Sequence, residues 1–266
     1  MLRIARQAKI LQIVNEKGFV ENEDLAKLFN VTPTTIRKDI KNLAEQKLIR
    51  REHGGLFSMD FSSNANEPLY ETKVYLNMDK KRAIGSAAAN FVNDDDTIIL
   101  DSGTTNAQIA HYLKRLNLKN IVVITNDLMI SKDLCSESNI TVIMLGGVLR
   151  RSYYSSLGTF TENILRDLTA KKVFLGIDAA HKQNGIFNSV IEEVPAKQLM
   201  IQNSEEVFMV NDSSKFGKTA LNKVCSWEKI DHVVTDDSIS QDYIDFILKN
   251  NIKLTIASPT RPFSDE

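Results

Sequence analysis

Asp101-Ser102-Gly103-Thr104-Thr105 is the stretch of this chain best suited to hold an anion. Gly103 permits close backbone approach, three hydroxyls add donors, and the amides opening a following helix carry unsatisfied N–H groups and the positive end of its dipole. Small hydroxyl residues before a helix also make ordinary caps, so the loop gains meaning only from its company. Thr125-Asn126, Gly146-Gly147, Asp178 and Asp212-Ser213-Ser214-Lys215 each follow an apolar run in the same way. Glu193 and Lys197 add a carboxylate and an ammonium four residues apart, with Pro195 between them; that proline fits a helix only in its first turn, and a plain surface ion pair is the competing reading. Taken together, residues 102–105 offer an anion cradle, aided by Lys215, while Asp178, Asn126 and Glu193 offer acceptors for hydroxyls. Asp101 either accepts a hydroxyl hydrogen bond or braces the loop, and Gly146 and Gly147 allow close backbone approach.

The elements that must position these residues follow from the apolar pattern. Short runs rich in Val and Ile occupy 97–100, 121–125, 141–145, 173–177, 207–210, 232–235 and 254–257, with helix-length amphipathic stretches between most of them. Strands apolar on both faces alternating with helices imply an α/β domain with a mostly parallel sheet. Ligands gather at the C-terminal ends of such strands.

The first 57 residues read differently. Thr32 suits an N-cap, Pro33 the first helical position, and Ile36, Ile40 and Leu43 form one inward stripe. The opposite face carries Thr34, Thr35, Arg37, Lys38 and Lys41, which can reach phosphates and base edges, with Asp39 as its only carboxylate. A helix over residues 6–14, a shorter one over 23–29 and a tight turn at Asn30 complete a helix-turn-helix. Arg50, Arg51 and His53 mark a basic hairpin, or wing, behind it, gripping DNA backbone or minor groove. Residues 1–57 hold 11 Lys and Arg against 7 Asp and Glu, whereas the whole chain has net charge −1, so positive charge is segregated at one end. The expected organisation is a winged helix-turn-helix domain over 1–57, a linker over 58–68 ending at Pro68, and an α/β sensing domain over 69–266.

These motifs resemble the DeoR family of bacterial transcriptional regulators. The family's Thr-Ile-Arg-Arg-Asp-Leu helix and Arg-x-His-Gly-Gly hairpin read here as residues 35–40 and 51–55, with Lys38 replacing the second arginine and removing a planar fork. Its effector-domain signatures, Asp-Ser-Gly-Thr-Thr, Thr-Asn, Gly-Gly, a strand-ending Asp, Glu-x-x-x-Lys and Asp-Ser-Ser-Lys-Phe-Gly, recur in order along this chain. The resemblance implies a repressor of a carbohydrate-catabolism operon that binds double-stranded operator DNA and is released by a phosphorylated sugar, with an effector domain similar in fold to ribose-5-phosphate isomerase. A homodimer or homotetramer is expected, because one recognition helix contacts too few base pairs for specificity.

Other chemistry finds little support. An aldose–ketose isomerase would draw a base and a cation from Asp178, Glu193 and Lys197, but an attached DNA-binding domain makes sensing the expectation. Gly217-Lys218-Thr219 fails as a phosphate loop, since the spacing demands Gly where Asp212 stands. His53, His111, His181 and His232 show no metal-ligand clustering, and Cys135 and Cys225 read as buried small hydrophobes, so neither metal nor cofactor is expected. No apolar run approaches the roughly 18 residues of a membrane helix. The N-terminus lacks the hydrophobic stretch of a secretory signal, and a cytoplasmic location is expected.

Overall fold

The computed structural model describes residues 1–52, 55–59 and 67–258, which divide into two compact units, Met1–Met78 and Asp79–Glu266. In the first unit, α1 (Arg3–Lys17), β1 (Phe19–Glu21), α2 (Asn22–Phe29), α3 (Pro33–Glu45), β2 (Ile49–Glu52) and β3 (Gly55–Ser58) form a helix-turn-helix with a three-stranded sheet ordered β1-β3-β2. α2 stops at Asn30, whose left-handed backbone at φ 51° makes the tight turn. α3 then starts as its sequence dictates: Thr32 accepts the Thr35 amide at 3.3 Å, and Pro33 occupies the first turn. Ile36, Ile40 and Leu43 are buried against Ile10, Leu11 and Val14 of α1 and Leu25 of α2.

Asp39 departs from expectation. It is buried on the inner side of α3, where its carboxylate accepts Arg6 Nε at 2.6 Å, Gln7 Nε2 at 3.1 Å and Arg3 Nε at 3.3 Å. It lies three residues after Ile36 and four before Leu43, so helical geometry puts it beside the inward stripe.

The division between units also falls later than residue 68. α4 (Tyr70–Tyr75) packs on α1, and Leu76 packs against the N-terminal core, so residues assigned by pattern to the sensing domain belong to the first unit. Residues 60–66 of the expected linker, and His53 of the expected wing, lie outside the described residues.

The second unit contains α5 (Met78–Ala89), β4 (Thr97–Leu100), α6 (Thr104–Leu113), β5 (Ile121–Thr125), α7 (Leu128–Leu134), β6 (Ile140–Met144), β7 (Val148–Leu149), β8 (Ser156–Leu157), α8 (Thr159–Arg166) and β9 (Ala170–Leu175). It continues through β10 (Ala179–His181), β11 (Gly185–Asn188), α9 (Val194–Gln202), β12 (Ser204–Val210), β13 (Asn222–Cys225), β14 (His232–Asp236), α10 (Gln241–Lys249) and β15 (Lys253–Ala257). Seven strands form one parallel sheet ordered β15-β14-β12-β9-β4-β5-β6. Alternate residues bury into opposite layers: Ile98, Leu100, Val123 and Phe174 pack under α5, α6 and α7, whereas Ile99, Ile124, Val173 and Leu175 pack under α8, α9 and α10.

The chain runs outward from β4 through β5 to β6, then returns to the other side of β4 at β9 and runs outward again. Loops leaving β4 and β9 therefore diverge to opposite faces, opening a crevice at their C-terminal ends. Asp101 and Gly176 follow those two strands directly. Cys135, expected to be buried, is exposed at the C-terminal end of α7, while Cys225 is half-buried.

Removing the Asp39 carboxylate leaves the Arg6 guanidinium buried without its anion. Asp39→Asn is expected to destabilise the first unit by about 3 kcal/mol. Urea denaturation followed by far-UV circular dichroism checks this, and an unchanged midpoint would contradict it.

Candidate functional site

In the first unit, burial of Asp39 clears the exposed face of α3 of carboxylates over its first two turns. Thr34, Arg37, Lys38 and Lys41 are exposed there. Thr35 is half-buried and committed to the cap, its Oγ1 lying 3.0 Å from that of Thr32. Lys41 makes a loose ion pair with Glu45 at 3.8 Å, one turn further on. On the hairpin, Arg50 stacks over Phe57 at 5.3 Å and pairs with Glu52 at 3.1 Å, and Arg51 is exposed. Exposed cations on a capped helix and an adjoining hairpin are chemically suited to phosphates and base edges.

The second unit centres on Asp101 and Lys197, whose side chains are 1% and 4% exposed and whose charged atoms are 2.5 Å apart. Lys197 Nζ also donates to the Gly176 carbonyl at 2.9 Å. Asp101 additionally accepts the Ser102 amide at 2.8 Å and the Gly176 amide at 3.0 Å. Burial works against the ammonium, but Asp101, Glu193 and Asp178 outweigh it and hold the Lys197 pKa above its ordinary value. Asp101 is thus the brace between β4, β9 and α9. Pro195 lies in the first turn of α9, so the helix carrying Lys197 is unbroken.

The loop of residues 102–105, expected from the sequence to cradle an anion, rests on this brace. Gly103, at φ 141°, is the N-cap of α6, and Thr104 and Thr105 form its first turn, both largely buried. The Gly103 amide donates to Asp127 at 3.1 Å, and Asp127 caps α7 by accepting the Met129 and Ile130 amides at 2.8 and 3.1 Å. Burial pushes the Asp127 carboxyl up to about 6, with the repulsion of Asp101 adding to it against those three hydrogen bonds. Asn106, one residue beyond the cradle, is completely buried, yet neither amide atom has a protein partner. A Cβ built on Gly176 would lie 3.6 Å from its Nδ2.

Around this floor, Asp178 accepts the Ser189 amide at 2.8 Å, and Glu193 is held by Asn188 at 2.8 Å and Arg150 at 3.1 Å. The Arg150 guanidinium stacks 3.7 Å above the Tyr153 ring. Asn126 donates to the Ser156 carbonyl at 3.3 Å, and its Oδ1 is buried without a partner. Gly146 and Gly147 are exposed; a Cβ on Gly147 would run into Thr161 and Leu157, so the close approach there is by the protein's own α8 and β8. Lys215 is half-buried in a neighbouring cluster in which Lys215, Ser214 and Lys81 hold Asp212 below the usual carboxylate range despite its burial. Beside it, Lys80 bonds Ser213 and Asp236, both at 2.9 Å.

Asp101, Asp178, Glu193 and Lys197 are therefore one electrostatic group, joined to the cradle through Asp101 and to the hairpin of β7 and β8 through Arg150. Pattern reading missed Asn106, Asp127 and Arg150. Asp127 had a legible signal, an aspartate directly before a helix, whereas Asn106 and Arg150 acquire meaning only from distant partners. Among the described residues no cluster of His, Cys, Asp or Glu has the makings of a metal site, and no helix is long and apolar enough to cross a membrane.

Comparison with known proteins finds two family models along the chain. Residues 6–61 match the DeoR-like helix-turn-helix domain, and residues 76–237 match the DeoR C terminal sensor domain. The glycerol-3-phosphate regulon repressor of Escherichia coli (strain K12) is 31% identical over 96% of this chain and 100% of its own length. The putative aga operon transcriptional repressor of Escherichia coli O157:H7 is 30% identical over 94% of this chain and 93% of its own. Among solved structures, ribose 5-phosphate isomerase from Plasmodium falciparum aligns with 51% of this chain and 52% of its own, at 15% identity and a TM-score of 0.38.

The raised Asp127 pKa sets a pH dependence. Its folded-state value of about 6 lies above the reference value of 3.8, so its stabilising contribution is fully present below about pH 4 and is lost as pH rises through about 6. Asp127→Asn escapes that loss. Its stability relative to wild type should rise by about 2 kcal/mol between about pH 4.5 and 7.5, read from paired urea titrations. A difference independent of pH would refute the assignment.

Proposed function

We infer the function of this chain from its membership: it belongs to the DeoR family of transcriptional regulators. It is a DNA-binding regulator with a sensor domain, and the family is one of regulators, not enzymes. We propose that it represses a carbohydrate-catabolism operon and leaves its operator when a phosphorylated sugar binds the second unit. The observation that carries the DNA half is the face of α3: its one nearby carboxylate is turned inward, leaving Thr34, Arg37, Lys38 and Lys41 to meet DNA.

In this reading Arg37 reads base edges, Lys38 and Lys41 neutralise phosphates, and Arg50, Arg51 and His53 hold the flanking backbone. Lys38 in place of arginine provides a point charge, suited to phosphate more than to bidentate base contact. In the second unit, the amides and hydroxyls of residues 102–105 take the phosphate at the start of α6, supported by Lys215. Asp178, Asn126 and Glu193 accept sugar hydroxyls, and Asn106 lines the floor with amide atoms that a ligand hydroxyl would satisfy. Buried polar atoms without partners cost about 1–3 kcal/mol each, which a well-placed ligand offsets. Names of the relatives support this ligand class, since one is the repressor of a glycerol-3-phosphate regulon.

Release requires that the ligand favour one of two arrangements. A coupling of about 1–3 kcal/mol suffices, and it holds in both directions. The cradle has a route to transmit it, because Gly103 and Asp127 join the start of α6 to the start of α7. A homodimer or homotetramer places two recognition helices one helical turn of DNA apart. Operator DNA as partner puts the protein in the cytoplasm.

Two variants separate the roles. Arg37→Ala is expected to weaken operator binding by about 10- to 100-fold at fixed salt while leaving sensing intact. Thr104→Ala with Thr105→Ala is expected to retain operator affinity and ignore the sugar phosphate that releases the wild type. Mobility-shift titrations read both, and the reverse pattern would refute the assignment.

A further inference from the structure

Not every amide at the start of α6 is open to a ligand. The Ser102 amide is already given to Asp101 at 2.8 Å, and the Gly103 amide to Asp127 at 3.1 Å. Helix geometry leaves the amides of Thr104 and Thr105, in the first turn of α6, without intrahelical acceptors. An anion seated at this loop therefore meets two free amides and a third, that of Gly103, held by an internal carboxylate. Around the same loop Asn106, Asn126 and Ser155, each at most 2% exposed, leave side-chain atoms without hydrogen-bond partners.

Asp127 holds that third amide at a cost. Its side chain is wholly buried, and its three donors, the amides of Gly103, Met129 and Ile130, are all uncharged. Charged groups on the surrounding elements give little compensation. Asp101 from the β4 loop adds repulsion, Arg150 on the hairpin is turned to Glu193, and on α7 Asp133 is bonded to Lys114 of α6 while Lys132 is exposed. His111, further along α6, has its pKa held below the ordinary value by burial, Arg115 and Lys114. Burial has already carried the Asp127 carboxyl up to about 6. Ser155 lies directly across an antiparallel bridge from Asp127, where the Cβ atoms of such a pair stand about 5 Å apart on one side, and its buried Oγ has no partner. That oxygen is placed to accept a hydrogen bond from a neutral Asp127 carboxyl. A Cβ built on Gly103 meets nothing within 4 Å, so the peptide carrying its amide has room to turn.

We propose that Asp127 is an internal competitor for the sensor loop: an arriving anion takes the Gly103 amide, and the carboxylate left behind takes one proton from solvent and donates the resulting O–H to Ser155 Oγ. Two like charges sharing one buried site resist being charged together, so the ligand's charge drives that protonation. By reciprocity, a proton on Asp127 strengthens anion binding. Ligand and proton then act together on the Gly103–Asp127 bond that joins α6 to α7, which makes Asp127 a positioning residue and the sensor responsive to pH. The inference rests on reading residues 102–105 as the anion site.

Calorimetric titration of the full chain with sodium sulfate tests it, because sulfate stays a dianion across the pH range used. Two buffers of different ionisation enthalpy count the protons, with chloride holding ionic strength fixed. Wild type is expected to take up more than about half a proton per sulfate near pH 7, with affinity falling about 5-fold from about pH 6.5 to 7.5. Asp127→Asn, which keeps a capping oxygen for α7, is expected to bind with no proton uptake and with an affinity flat across that range. Asp127→Ser, another capping residue, takes its place if far-UV circular dichroism shows that the first variant does not fold. Wild-type binding without proton uptake, or equal uptake in the Asp127 variants, would overturn the proposal and leave the anion site standing. Sulfate that fails to bind wild type, or that binds as tightly after Thr104→Ala with Thr105→Ala, would instead overturn the anion site and this proposal with it.

Discussion

Lys197 and Asp101 form an ion pair almost wholly withdrawn from water, at the point where the parallel sheet reverses its order. Removing two charges from solvent costs several kcal/mol each, so such a pair persists only when geometry and further hydrogen bonds compensate. Here they do: Lys197 also reaches the Gly176 carbonyl, and Asp101 takes the Ser102 and Gly176 amides. One carboxylate thereby fixes the end of β4, the end of β9 and the first turns of α9. Without that brace the crevice between the strands would have no fixed floor, and the loop of residues 102–105 would have no defined relation to Asp178 and Glu193.

The first unit uses a buried carboxylate for a different end. Asp39 ties α3 to α1 through Arg3, Arg6 and Gln7, and by turning inward it removes a negative charge from the exposed face of α3 that we propose meets DNA. Packing and electrostatics are served by one residue. The same network fixes the rotation of α3 on α1, and hence which of its side chains face outward. The proposed base reading by Arg37 needs that precision, because it depends on where the side chain emerges from the helix.

Much of this was legible in the chain. All seven strands of the parallel sheet were visible as Val- and Ile-rich runs, because a strand buried on both faces has no polar alternation to confuse it. α3 was visible through its cap, its proline and its apolar stripe. The polar turns at strand ends marked the loop that we propose as the cradle, and membership of the family confirmed the class of protein. What escaped was set by partners distant in sequence. Asp39 read as surface because its partners lie more than thirty residues earlier, in α1. The unit boundary escaped because α4 is short and its attachment to α1 leaves no mark in composition. Arg150, next to an unremarkable turn, is defined by Glu193 on another segment. Cys135 was expected inside on residue type alone, and its place at the end of α7 leaves it exposed.

The most direct measurement is fluorescence anisotropy of the protein on DNA from its own upstream region, at one fixed salt concentration, with and without a panel of sugar phosphates and their unphosphorylated sugars. Specific binding that one phosphorylated sugar releases, and its unphosphorylated form does not, is the expected result. Specific binding that no sugar phosphate alters would contradict the sensor assignment, and absence of specific binding under every condition would contradict the regulator itself.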